Sequence, residues 1–142
     1  MELKNQVTPK ELSERLNKFG IKQDGYFAWQ NVIGDDRGKL KEVEYFLDSR
    51  PVYNEERMLS IFSAFTVSEL GEILNKFDGV WNTEFKYTTP EDGKKQEKIC
   101  WINFLPRGSK IWITSFYPTE AIARGEMIAY LLENNYEMNN ER

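Results

Sequence analysis

The residue types that most often carry chemistry are scarce in this chain, which has no histidine and a single cysteine, Cys100. Histidine is the usual general base, the usual partner of a serine or cysteine nucleophile, and the commonest transition-metal ligand. Its absence excludes catalytic triads and dyads that depend on histidine. Together with the single cysteine, it also excludes zinc sites of known ligand spacing. Carboxylate chemistry stays open.

Two carboxylate pairs could act as acid and base or hold a hard metal ion, namely Glu69 with Glu72 and Asp35 with Asp36. Glu69 follows Thr66 by three residues, which is the spacing of a helix capping box. Asp35 and Asp36 lie in a glycine-flanked turn, where aspartate is common. Both pairs are explained by local folding, so we predict no catalytic residue, no metal site and no cofactor.

The neighbours of Cys100 are Ile99, Trp101 and Ile102, which is typical of a strand. A lone thiol in such a segment cannot form an internal disulfide and usually packs as a small hydrophobic side chain. We therefore expect Cys100 to be buried and structural.

The composition predicts one domain spanning residues 1–142, because the chain is long enough for one sizeable core and too short for two. The net charge is −4, and the part of the chain after residue 65 contains nine basic and twelve acidic residues. Neither half is a basic arm that would gather phosphates. The sequence shows no signal-peptide pattern and no apolar run of membrane-spanning length, so we expect a cytoplasmic protein with no membrane partner.

The first part of the chain, residues 8–65, predicts a helix, a hairpin and a connection. Thr8 is the expected cap of a helix from Pro9 to Phe19, which Gly20 ends. Tyr26 to Ile33 and Leu40 to Leu47 predict a β-hairpin around a turn at residues 34–38. A helix over residues 39–48 is the alternative, since lysine, leucine and glutamate favour helices. Residues 48–63 are interpreted as a surface connection that could contain one helical turn.

The second part, residues 66–134, predicts a helix, a three-stranded meander and a helix. The capping box at Thr66 begins a helix that reaches Phe77 and ends at Asp78-Gly79. The predicted strands are Val80 to Tyr87, Glu97 to Leu105 and Ile111 to Tyr117, with a polar loop over residues 88–95. The last helix spans about Thr119 to Asn134, and Gly125 on it is expected to allow close packing on the sheet. Residues 135–142 are expected to be a frayed tail.

This order, α-β-β-α-β-β-β-α, predicts an α+β fold. Antiparallel hairpins with amphipathic helices on one face form a two-layer sandwich.

Three segments carry a resemblance to known sequences. They are the GIKQ and YFAW motifs of residues 20–29, the segment AFTVSELGEIL of residues 64–74, and the helix EAIARGEMIAYLLEN of residues 120–134. With these segments the chain resembles a family of small uncharacterised proteins from bacteriophages, prophages and other mobile elements. It differs from the family pattern at Gly25 and Gly125. The resemblance implies a phage-linked accessory protein in a bacterial cytoplasm, with no assigned activity.

Our leading hypothesis is a non-enzymatic protein that binds a bacterial host protein or a small ligand, for example to inhibit a host defence system. Its basis is the resemblance together with four tryptophans, seven tyrosines and nine phenylalanines, more aromatic side chain than one small core readily hides. The candidate binding residues are three aromatic side chains expected to be exposed and three polar neighbours: Tyr26, Trp29, Trp81, Lys22, Gln23 and Arg37. The surplus aromatics are also consistent with a homo-oligomer.

Nucleic-acid binding is the alternative hypothesis. The helix, three strands and helix from Val67 to Asn134 follow the order of a double-stranded-RNA-binding domain, which uses lysines at the start of its last helix. Here that position reads Pro118-Thr119-Glu120. Its acidic character disfavours nucleic acid as a partner.

Overall fold

The computed structural model describes residues 2–32, 46–49, 58–88 and 95–139. Within these ranges a short 3-10 helix, Leu3–Asn5, precedes three α-helices and six strands. In chain order these are α1 (Lys10–Lys18), β1 (Phe27–Val32), β2 (Phe46–Ser49), β3 (Met58–Ala64), α2 (Val67–Leu74), β4 (Gly79–Tyr87), β5 (Lys98–Pro106), β6 (Ile113–Tyr117) and α3 (Glu120–Glu133).

The strands form two antiparallel sheets of three strands each. The first has the order β2-β1-β3 and places Trp29 opposite Leu47 and Phe62. The second has the order β4-β5-β6 and places Phe104 between Trp81 and Ile113. The α+β class and the order of the predicted elements are confirmed, and the predicted sheet is divided into two.

The hairpin predicted from Tyr26 to Ile33 and Leu40 to Leu47 is confirmed in its described part, where β1 pairs with β2; residues 40–45 of its second strand lie outside the described residues. Its turn lies outside the described residues, as does most of the alternative helix over 39–48, whose last residues are in strand β2. The interpretation of residues 48–63 as a surface connection is wrong at both ends, since Asp48 and Ser49 belong to β2 and residues 58–63 to β3. Residues 58–64 form a strand because they pair with β1. Since β1 is distant in the sequence, this pairing is not visible in the local pattern.

Helix α3 is the centre of the packing. It lies on β5 and β6 of the second sheet and contacts both α2 and α1, while α1 also contacts β3. The buried core runs through these contacts and contains Leu12, Leu16, Ile21, Phe65, Leu70, Leu74, Phe77, Cys100, Ile102, Phe104, Ala121, Ala123, Met127, Ile128, Ala129 and Leu131. The ion pair between Arg15 of α1 and Glu126 of α3 joins residues 111 positions apart.

The predicted cap of α1 is wrong. Pro9 occupies the cap position without a side-chain hydrogen bond. Thr8 is buried, its hydroxyl accepts a hydrogen bond from the Phe65 amide at 3.0 Å, and it shares a second one with the Ser13 hydroxyl at 2.7 Å. The end of α1 is as predicted, because Gly20 adopts a φ of 84°, where glycine has no steric penalty.

The predicted capping box of α2 is confirmed. The Glu69 amide donates to the Thr66 hydroxyl at 3.2 Å, and the Glu69 carboxylate accepts from the Thr66 amide at 3.0 Å. The second oxygen of the same carboxylate accepts from the Tyr26 amide at 3.0 Å, which ties α2 to the start of the first sheet. The helix ends at Leu74, earlier than predicted, and the buried Phe77 lies beyond it.

The packing role of Gly125 is confirmed, but its neighbour is a helix and not the sheet. A Cβ atom at this position would lie 2.7 Å from Cδ2 of Leu12 and 3.1 Å from Cγ2 of Thr8. Gly125 therefore lets α3 approach α1.

The prediction of a frayed tail is wrong for residues 136–139. The Tyr136 amide donates to the Leu131 carbonyl at 2.9 Å, and Asn135 has the left-handed φ of 65° that ends many helices. Met138 then pairs with Phe77, and the Asn139 amide donates to the Lys76 carbonyl at 2.7 Å. These bonds attach the segment to the end of α2.

Candidate binding surface

The outer face of the second sheet carries several partly exposed apolar side chains. Successive residues of a strand point to opposite sides of the sheet, and Cys100, Ile102 and Phe104 of β5 point into the core. The register then places ten residues on the opposite side, which we call the outer face: Val80, Asn82, Glu84, Lys86, Ile99, Trp101, Asn103, Leu105, Thr114 and Phe116.

An aromatic pair lies at the middle of the outer face. The Trp101 and Phe116 rings are stacked, with their centroids 4.6 Å apart and their planes at 20°. The Lys86 ammonium lies 4.2 Å from the centroid of the Trp101 ring. Phe116 is 56% exposed and Val80 is 59% exposed. Aromatic side chains are enriched at protein interfaces.

A row of polar side chains crosses the outer face beside this pair. The Asn103 amide group donates to Oδ1 of Asn82 at 2.9 Å and to Oε1 of Glu84 at 3.0 Å. Its own oxygen accepts from the Thr114 hydroxyl at 2.9 Å. The row holds these groups in one arrangement, so the outer face offers fixed polar positions next to an apolar surface.

A groove of about 650 Å³ follows the free side of β6 and is bordered by α3 and α1. Arg15 lies in it, and its guanidinium donates to both oxygens of Glu126, at 2.8 and 3.0 Å, and to Glu133 at 3.3 Å. Burial lowers the pKa of Arg15, but the hydrogen bonds and charges of the two glutamates raise it above its ordinary value. The other residues that line the groove are Ile111, Trp112, Ile113, Thr114, Ser115, Phe116, Tyr117, Met127 and Tyr130.

A second cavity, of about 390 Å³, lies where the first turns of α2 and α3 meet the short 3-10 helix. Its apolar lining comes from Leu3, Phe27, Val67, Phe85 and Pro118. The capping hydroxyls of both helices, on Thr66 and Thr119, already accept hydrogen bonds from their own helices. The cavity has the volume of a small-molecule site.

The aromatic residues predicted to be exposed differ in their surroundings. Tyr26 is 77% exposed, as predicted. Trp29 and Trp81 are half-buried, so the expectation that they are exposed is wrong. The Trp29 indole donates to the Thr8 carbonyl at 2.8 Å, and the Trp81 indole donates to Oδ1 of Asn75 at 2.8 Å. Both indole nitrogens therefore serve contacts within the chain.

The predicted polar neighbours do not assemble around these aromatics as one site. Lys22 is exposed and lies 3.7 Å from Asp24. The Gln23 side chain donates to the Ile21 carbonyl at 2.9 Å and accepts from the Ser63 amide at 2.7 Å, so it holds the chain before β1 against β3. Arg37 lies outside the described residues. Whether any of these residues binds a partner stays a prediction.

Sequence reasoning missed the outer face, although a signal for it was present. Once Cys100 is taken as buried, alternation along β5 places Trp101 on the solvent side. The stacking partner Phe116 could not be found in this way, because it depends on the register between β5 and β6.

Cys100 is 1% exposed, as expected for a structural thiol. Burial raises the pKa of the thiol to about 11, and the charge of Glu120 adds to the effect. Since the thiolate is the reactive form, Cys100 is unsuited to act as a nucleophile near neutral pH. Among the described residues no cluster of histidine, cysteine, aspartate or glutamate side chains is arranged to hold a metal ion.

We expect the folded protein to react with iodoacetamide at pH 8 at least about a hundredfold more slowly than the denatured protein, because both the raised pKa and burial oppose reaction. The native rate should keep rising toward pH 11, whereas the denatured rate should level off near the ordinary pKa of 9.0. Mass spectrometry of alkylation reports Cys100 alone, since the chain has one cysteine. Equal native and denatured rates would contradict the prediction.

None of the helices in the described ranges combines the length and apolarity needed to cross a bilayer; the longest, α3, has 14 residues. Comparison with protein-family models, with curated proteins and with solved structures gave no match. The resemblance to bacteriophage and prophage proteins therefore has no support from these comparisons.

Proposed function

We propose that this chain acts by binding a protein partner, without catalysis, through the outer face of the second sheet. The observation that carries the proposal is the Trp101–Phe116 stack, which lies among exposed or half-buried apolar side chains. Exposed apolar patches of this kind mark interaction sites more often than ordinary surface. The absence of histidine and the inaccessibility of Cys100 make binding a better explanation than catalysis.

The outer face also has the composition of a specific interface. Its apolar centre can supply affinity by desolvation, whereas the Asn82–Asn103–Thr114 row can reject partners that leave its polar atoms unpaired. Lys86 and Glu84, 3.8 Å apart at one side, belong to a charged rim. Such rims affect the association rate more than the affinity.

The identity of the partner, the location of the protein and its biological role are those of the sequence-based hypothesis. A bacterial host protein as the partner, a cytoplasmic location and a counter-defence role are predictions, and they rest on the resemblance alone.

The test is affinity capture from source cells with the tagged wild type and two variants. Trp101→Thr removes the centre of the outer face and keeps a strand-forming residue. Tyr26→Ser removes another aromatic side chain, which lies outside that face and is more exposed than Trp101. We expect Trp101→Thr to weaken binding of the captured partner by about tenfold or more, as for an aromatic hot spot, and Tyr26→Ser to leave that binding unchanged.

Circular dichroism and urea unfolding should show that both variants are folded. Loss of the partner with Tyr26→Ser alone would move the site to the region predicted from the sequence. A partner retained by Trp101→Thr, or no partner above the background of the tag, would contradict the proposal.

Nucleic-acid binding is a weaker alternative. The order α2-β4-β5-β6-α3 parallels a double-stranded-RNA-binding domain, but Glu120 stands at the start of α3 and pairs with Arg124 at 2.6 Å. The start of α3 therefore lacks the lysines with which such a domain contacts phosphates. Binding of duplex RNA that weakens with rising salt would favour the alternative over our proposal.

A further inference from the structure

The backbone groups on the free side of β6 have no strand partner among the described residues. At the two ends of the β4–β5 pairing, the Thr88 amide donates to the backbone carbonyl of Glu97 at 2.8 Å, and the Arg107 amide donates to the backbone carbonyl of Asp78 at 3.1 Å. Hydrogen-bonded pairs recur every second residue of an antiparallel ladder. Odd-numbered residues of β5 therefore bond to β4, and even-numbered residues bond to β6.

The same alternation fixes the direction of the β6 backbone. Ile113, Ser115 and Tyr117 lie opposite even-numbered residues of β5 and bond to them. The N–H and C=O groups of Thr114 and Phe116 consequently point away from the sheet. No strand among the described residues pairs with this side of β6.

This edge lacks the features that normally protect a sheet edge. Residues 111–117 read IWITSFY, with no charge, no proline and no glycine. Ile111 is 77% exposed. Natural edge strands are usually blocked by charged residues, proline or bulges, because an open edge pairs with other chains. The opposite edge of the same sheet, β4, follows that rule with Glu84 and Lys86.

Residues 111–117 are complementary to themselves in one antiparallel register. When Thr114 faces Thr114 of a second copy, Trp112 faces Phe116 on both sides of a two-fold axis. The residues whose backbones point outward then meet one another, as hydrogen bonding requires. Aromatic pairs and threonine pairs are favourable cross-strand neighbours, and the segment brings no like charges together.

We infer that two copies of this chain pair along β6 and form one continuous six-stranded sheet with a two-fold axis at Thr114. The partner's Ile111 then lies opposite Tyr117, on the side of the sheet where the groove beside α3 is found. A two-fold interface of this kind uses the same patch on both copies. The inference shares Phe116 and Thr114 with the outer face, but it depends on the edge backbone of β6, whereas the proposed function depends on Trp101 of the central strand.

Sedimentation over a range of protein concentrations tests the inference with a matched pair of variants. Thr114→Pro removes the outward N–H and leaves the bonds to β5, because proline is tolerated where an edge N–H faces solvent. Thr114→Val keeps that N–H and, like proline, loses the hydroxyl bond to Asn103. We expect wild type and Thr114→Val to sediment at twice the 16.8 kDa monomer mass.

Thr114→Pro should raise the dissociation constant of the dimer by about a hundredfold, because two central hydrogen bonds are lost and the rings crowd the axis. If Thr114→Pro does not fold, Phe116→Lys provides the same test by placing a charge at the edge. A monomeric wild type would overturn the inference. Binding of an unrelated extended peptide at this edge, without dimer formation, would overturn it as well. A dimer that persists in the folded Pro or Lys variant would overturn it too, whereas a dimer retained by Trp101→Thr would leave it in place.

Discussion

Replacing Arg124 with alanine should lower the free energy of unfolding by about 3 kcal/mol, because it would leave a mostly buried carboxylate without its partner. The guanidinium donates to one oxygen of Glu120 at 2.6 and 3.0 Å and to the Val67 carbonyl at 2.9 Å. The central carbon of the guanidinium, Cζ of Arg124, lies 4.7 Å from the centroid of the Trp81 ring. One side chain thus joins α3, α2 and β4.

Urea unfolding of Arg124→Ala and Arg15→Ala provides the comparison. Arg15 is also paired with glutamates of α3, but its side chain is 40% exposed, against 14% for Arg124. We expect Arg15→Ala to cost at most about 1 kcal/mol, since water replaces much of what an exposed ion pair contributes. Equal losses in the two variants would show that burial of the Arg124 network does not determine its contribution.

Replacing Gly125 with valine should destabilise the protein by about 2 kcal/mol, through overpacking between α1 and α3. The added Cβ would lie 2.7 Å from Cδ2 of Leu12, closer than carbon atoms approach without displacement. Gly125→Ala should be milder, because the better helix propensity of alanine, about 1 kcal/mol, offsets part of the steric cost.

The steric origin of this effect can be tested with a second substitution. Leu12→Ala alone should destabilise by opening a cavity, but in combination with Gly125→Val it provides room for the new side chain. We expect the double variant to be more stable than the sum of the two single losses predicts. Simple additivity in thermal unfolding would contradict a direct clash between these positions.

Local signals in the sequence predicted much of the fold. The capping box at Thr66, the stop at Gly20 and the alternation in β4, β5 and β6 act within a few residues of one another, so their physics is contained in short segments. What was missed depends on distant partners. Residues 58–64 become a strand through β1, and residues 136–139 are ordered by Phe77 and Lys76.

The candidate surface was less predictable for the same reason. Composition gives the number of aromatic residues, but not which ones the core encloses. Trp29 and Trp81 resemble Trp101 in their local sequence patterns, yet the first two donate indole hydrogen bonds within the chain and the third stacks on the outer face. The difference lies in strand register and helix placement, and single-sequence patterns do not determine either.

The contact of α1 with α3 has a consequence for the order in which the protein can fold during synthesis. Leu12 and Arg15 find their partners Gly125 and Glu126 more than a hundred residues later. A nascent chain emerges at about 5–20 residues per second. For seconds, therefore, the side of α1 that packs against α3 stays uncovered even if α1 has already packed on β3, and this part of the core cannot form until α3 has left the exit tunnel. Nascent-chain proteolysis should find the segment around α1 cleavable until that point.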